Sequence, residues 1–175
     1  RISEYYCASW GETIENALPK WVKYGKKAER ALAKNDESET PDQIEVKKAE
    51  ELILTADQDR AFKHICNSLE EKNPKPILLF GVTGSGKSEV YIRAIREVLA
   101  KGKSAVCLVP EIALTEQIRR FFLHHFGNQL EILHSKLTDT ERFLAWKRIE
   151  TREKAVILGP RSAVFAPTPN LGLLI

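Results

Sequence analysis

Eight consecutive residues carry most of the chemistry legible in this 175-residue sequence: Gly81, Val82, Thr83, Gly84, Ser85, Gly86, Lys87 and Ser88. They fit G-x-x-x-x-G-K followed by Ser or Thr, a loop whose glycines let the backbone curl until successive N–H groups converge on phosphate oxygens. Lys87 then reaches the β- and γ-phosphates, the helix opening near it adds its positive end, and Ser88 ligates Mg2+. Glu89, next along the chain, completes the candidate set. Gln58 stands 29 positions before Lys87. Its carboxamide has the donor and acceptor needed to pair with adenine N6 and N7, but Gln58 also has the spacing to close a helix cap with Thr55, and the residues alone favour the cap.

A phosphate loop works only between a strand and a helix, and the surrounding pattern supplies both. Thr55-Ala56-Asp57-Gln58 is spaced as a capping box, and Phe62, Ile65, Cys66 and Leu69 follow on one helical face. Strand-length apolar runs occur at Ile77–Phe80, Ala105–Val109, Leu130–Leu133, Ala155–Leu158 and Leu171–Ile175. Between them lie helical patterns: Val90, Tyr91, Ala94, Ile95, Val98 and Leu99; then Leu114, Ile118, Phe121 and Phe122; then Phe143, Trp146 and Ile149 behind a second capping box at Thr138–Glu141. Strands alternating with such helices predict right-handed βαβ units and a parallel α/β sheet, the P-loop NTPase class.

Composition narrows the setting. No apolar run approaches the roughly 18 residues of a membrane span, so a membrane protein is excluded. Cys7, Cys66 and Cys107 are too widely spaced for a paired metal framework or a disulfide scaffold, which points to a reducing cytoplasm. His64, His124, His125 and His134 lack partner spacing for a metal. The net charge, 27 basic less 24 acidic residues or +3, does not by itself demand a polyanion. Lys20–Lys34 carries a net +5 and Asn35–Glu51 a net −5, and Asn35–Asp42 has no large apolar residue, the composition of a tether. The expected organisation is therefore residues 1–22 completing an upstream domain, a charged linker at 23–53, and a nucleotide-binding domain from 54 to 175. The start at Arg1 and the lack of any Met suggest an internal piece of a longer chain.

The motifs Gly81–Tyr91, Leu108-Val109-Pro110-Glu111-Ile112-Ala113-Leu114-Thr115, His134-Ser135 with Glu141-Arg142 and Trp146, Gly159 with Arg161–Pro167, and Asn170-Leu171-Gly172 occur together in one order. In this they resemble the primosomal replication-restart helicases of helicase superfamily 2, nearly continuously from Leu54 to Ile175; Tyr5-Tyr6 and Gly11–Pro19 more weakly resemble the end of that family's N-terminal DNA-binding region. The resemblance implies an ATP-dependent 3′ to 5′ DNA helicase of replication restart and primosome assembly. Residues 54–175 would be the first of its two RecA-like motor lobes, with ATP and Mg2+ as cofactors and forked or single-stranded DNA and primosome proteins as partners. It moves Gln58 towards an adenine contact. It also makes Thr115, Arg161 and Ser162 candidate DNA contacts. Glu111 is expected to cap the following helix instead, since a carboxylate repels phosphate. Zinc ligands of the family would lie outside this chain.

Four departures qualify that likeness. Pro160 stands where the family usually has Thr, and Ser88 replaces the commoner Thr. The space between Pro19 and Thr55 is too short for the winged-helix domain the family often carries. The sequence stops at Leu173-Leu174-Ile175, on the strand expected to deliver the acidic Walker B residues. Two other functions fit the P-loop: an ATPase that translocates or remodels without unwinding, and a non-catalytic nucleotide-binding adaptor.

Overall fold

The computed structural model describes residues 53–175, preceded only by Ser9 and Gly11. The expected N-terminal region 1–22 and the linker 23–53 thus lie, but for those positions, outside the described residues. Helix α1 spans Ala56–Leu69 and opens on the anticipated capping box: the Thr55 hydroxyl accepts from the Gln58 N–H, and Gln58 Oε1 accepts from the Thr55 N–H at 2.9 Å. Then come α2 (Lys87–Ala100), β1 (Ser104–Leu108), α3 (Glu116–Phe126), β2 (Leu130–Ile132), α4 (Asp139–Glu150), β3 (Val156–Gly159) and β4 (Leu171–Leu174). Short 3-10 turns occupy Glu111–Ala113, Gly127–Gln129 and Arg161–Phe165. The second capping box also forms, and the Thr138 N–H and hydroxyl hold the Glu141 carboxyl below its ordinary range.

The four strands make one parallel sheet in the order β2-β3-β1-β4. Period-two alternation along β1 sends Ala105 and Cys107 to one face and Val106 to the other, and both faces are covered. On the first, Ile92 and Ile95 of α2 and Phe122 and Phe126 of α3 pack against Val156 and Leu158. On the second, Ala145 and Ile149 of α4 meet Ile157, Leu133 and Ala163. Helix α1 lies beside α2, where Ile65, Val90 and Ala94 form a smaller cluster joined by Leu79 and Leu173. Ile92, absent from the helical face read in the sequence, is fully buried, because a helix wedged between sheet and neighbours hides more than one stripe. Cys107 is core, its thiol pushed up to about 11 by burial, whereas Cys66 is only half-buried. Glu131 on β2 accepts two bonds from Arg148 on α4, at 2.7 and 2.9 Å, which pins that helix to the sheet.

One expected element is missing. Ile77–Phe80 leads into the Gly81–Ser88 loop but belongs to no strand, with Leu78 and Phe80 88% and 90% exposed and only Leu79 packed inward. A strand is made by its ladder, and among the described residues nothing pairs with the outer edge of β4. The apolar run supplies the composition of a strand but not the partner.

Candidate nucleotide site and adjoining loops

The connection from Ala100 to Ser104 is so short that α2 must run back along β1, which sets Lys87 at the edge of the sheet where β1 ends. Gly84 and Gly86 hold left-handed φ values of +81° and +76°, the conformations for which glycine is needed. Gly86 is the N-cap of α2 and offers no side chain to its N–H groups, so that helix end is open to an external acceptor. Lys87 Nζ folds over the loop, donating to the carbonyls of Gly81 at 2.7 Å and Val82 at 2.8 Å. Thr83, Gly84, Ser85 and Ser88 are exposed, with Ser88 in the first turn of α2 beside Lys87. Glu89 instead turns along the helix to pair with Arg93 at 3.0 Å.

Gln58 meets this loop directly. While its Oε1 closes the cap on Thr55, its Nε2 donates to the Ser85 carbonyl at 3.0 Å. The sequence posed cap and nucleotide site as alternatives; the fold gives Gln58 the cap and a place against the phosphate loop at once.

The other candidates gather on two neighbouring loops. In the β1–β3 ladder Leu108 is opposite Gly159, and the Val109 N–H donates to the Gly159 carbonyl at 2.9 Å, so residues 109–115 and 160–165 leave the sheet side by side. Thr115, Arg161 and Ser162 are all exposed there. Thr115 is the N-cap of α3 and accepts from the Ile118 N–H, which corrects the capping role expected of Glu111. Glu111 opens the preceding 3-10 turn, and its backbone carbonyl accepts from Leu114, because the chain needs one tight turn before α3 can start. Pro160 occupies the N-cap of the Arg161–Phe165 turn, whose first bond runs from the Ala163 N–H to the Pro160 carbonyl at 2.8 Å.

Sequence reasoning gave His134 no role. It follows β2, and its imidazole titrates below the usual value through burial first and then the positive charges of Arg119, Lys136 and Arg142, with Glu141 opposing. Arg119 reaches it from α3 and Arg142 from α4, while Lys136 stands in the turn just after it. Among the described residues, no group of three or more His, Cys, Asp and Glu is placed to hold a metal ion, and no helix is long and apolar enough to cross a membrane.

Comparison with known proteins adds a second line of observation. The family model described as "Type III restriction enzyme, res subunit" matches residues 51–168. The chain is similar to the replication restart protein PriA of Bacillus subtilis (strain 168), 47% identical over 129 residues that cover 74% of this chain and 16% of the relative. The PriA of Chlamydia trachomatis is 48% identical over 122 residues, covering 70% and 16% respectively. With the PriA of Treponema pallidum the identity is 36% over 174 residues, 99% of this chain and 24% of the relative. The chain thus spans between about a sixth and a quarter of the length of these relatives.

Proposed function

The chain belongs to the family described as type III restriction enzyme, res subunit, and stands with the replication restart proteins PriA; from that premise we propose that it is the ATP-binding first motor lobe of a 3′ to 5′ DNA helicase that acts in replication restart and primosome assembly. The observation that carries the reading is the Gly81–Ser88 loop, with two glycines in left-handed conformations and Lys87 folded across it at the start of a helix. ATP would lay its phosphates in the loop, and Lys87 would exchange its two carbonyl partners for β- and γ-phosphate oxygens. The open N-terminus of α2 favours the same negative charge. The exposed Ser88 hydroxyl suits Mg2+, a hard cation that takes oxygen ligands. Bound there, Mg2+ would neutralise charge on the phosphates. Gln58 would contact adenine with the donor and the acceptor its two hydrogen bonds leave unused.

DNA would run across the loops 109–115 and 160–165, with the exposed Thr115, Arg161 and Ser162 and backbone N–H groups of those loops as its phosphate contacts. Contacts of that type hold phosphates and fix register without reading sequence. In the full-length protein, Lys87→Ala should suppress ATP hydrolysis and fork unwinding together, by more than tenfold, and leave DNA affinity within about twofold. Unwinding at near wild-type rate would remove the loop from the engine. ATP hydrolysis and translocation in wild-type protein without strand separation would identify a remodelling ATPase instead, and binding without any hydrolysis an adaptor.

A further inference from the structure

The hydrogen bond from Gln58 to the phosphate loop has a geometric effect that does not depend on the base. The Ser85 carbonyl is the last one before Gly86, the residue that caps α2. In a planar trans peptide the carbonyl of one residue and the N–H of the next point in opposite directions. Holding the Ser85 carbonyl on Gln58 Nε2 at 3.0 Å therefore turns the Gly86 N–H away from α1. The contact is close: a Cβ at position 86 would sit 2.3 Å from Gln58 Nε2, so the carboxamide rests directly on the glycine Cα. Three of the loop's carbonyls are held by two side chains that stand 29 positions apart in sequence. Lys87 takes those of Gly81 and Val82, and Gln58 takes that of Ser85. When Lys87 leaves its carbonyls for phosphate, the Gln58 bond is the side-chain restraint that stays. Gln58 is itself fixed by the Thr55 N–H, which bonds its Oε1 at 2.9 Å, so the loop is referenced to the first turn of α1.

We propose that Gln58 is a positioning residue for the phosphate loop: it fixes the Ser85–Gly86 peptide so that the Gly86 N–H faces the phosphates, and it does so whether or not a base is present. This rests on the reading of Gly81–Ser88 as a triphosphate site. A residue that served the base alone would matter to ATP and not to a triphosphate lacking a base. Inorganic tripolyphosphate, with Mg2+, is therefore the diagnostic probe.

The experiment titrates full-length wild-type protein, Gln58→Met and Thr55→Ala with tripolyphosphate and with ATP. Both variants break the capping box, but only Gln58→Met releases the Ser85 carbonyl, and it introduces no charge near the phosphates. The two should lose thermal stability to a similar small extent, and a cap at an exposed helix start leaves both folded. Gln58→Met should bind tripolyphosphate roughly five- to tenfold more weakly and ATP at least as weakly, as expected for one lost orienting hydrogen bond. Thr55→Ala should stay within twofold of wild type. Tripolyphosphate affinity unchanged in Gln58→Met, with ATP alone weakened, would reduce Gln58 to a base contact. An equal loss in Thr55→Ala would assign the effect to the helix cap. Either result overturns the proposal and leaves the nucleotide site standing, whereas failure of wild-type protein to bind ATP at all would overturn that site and the proposal with it.

Discussion

Gly159 shows how close packing can dictate a residue type that sequence motifs only record. A Cβ there would lie 2.8 Å from Ala163 Cβ and 2.9 Å from the Leu133 carbonyl, and one of those atoms is backbone with nowhere to go. The glycine lets β3 end against the start of the next turn, which carries Arg161. Gly159→Ala should therefore destabilise the domain by about 1–3 kcal/mol through overpacking, and shift the Arg161 turn. Urea unfolding of the two proteins measures the first effect; a loss under about half a kcal/mol would mean the turn relaxes freely. Gln58 and Lys87 illustrate the other kind of residue-scale constraint, polar groups whose partners are loop carbonyls. Their residue types were legible in the sequence, but the bond from Gln58 to Ser85 was not, because it spans 27 positions and depends on α1 packing against α2.

At the scale of elements, the useful fact is that parallel neighbours end together. The loops after β1 and β3 emerge adjacent because Leu108 and Gly159 are in register, so Thr115 and Arg161 share a surface although 46 residues separate them. Arg161→Ala in the full-length protein should weaken binding to single strands about equally for two unrelated sequences, and flatten the dependence of log affinity on log salt by roughly 0.7. Salt titrations on both strands decide it: unchanged slope and affinity return Arg161 to the ordinary surface, and a loss on one strand only indicates base reading. Pro160 shapes this loop differently from a residue with an N–H, since it cannot donate. The loop's turn is closed instead by its carbonyl accepting from Ala163.

For the whole molecule, the sheet edge that no described residue covers is the feature with consequences. Among the described residues β4 has one hydrogen-bonded neighbour, Leu171 and Leu174 are each 50% exposed, and Leu78 and Phe80 expose apolar surface in a segment outside the sheet. An open apolar edge is a template for another strand. The 175-residue polypeptide by itself should associate with rising concentration, and Leu174→Lys should reduce that association severalfold, because a lysine on an edge strand opposes pairing. Sedimentation velocity across a loading series is the test, and a strictly monomeric wild-type chain would show that this edge is not sticky.

The sequence by itself determined the parallel α/β class, both capping boxes, the placement of four strands to within a residue or so, and the glycine-rich turn that leads into the helix opened by Lys87. These are local: they follow from hydrophobic period, cap chemistry and glycine spacing, which act over a few residues. The tertiary structure alone decided three things. Ile77–Phe80 is no strand, because pairing depends on a neighbour rather than on composition. Thr115 takes the cap expected of Glu111, because the chain first makes a 3-10 turn. Gln58 joins cap and loop, because only the packing of Phe62, Ile65 and Leu69 on α2 brings the first turn of α1 to the Ser85 carbonyl. Each turns on a contact between segments far apart in the chain, and such contacts leave no periodic trace in the residues that make them.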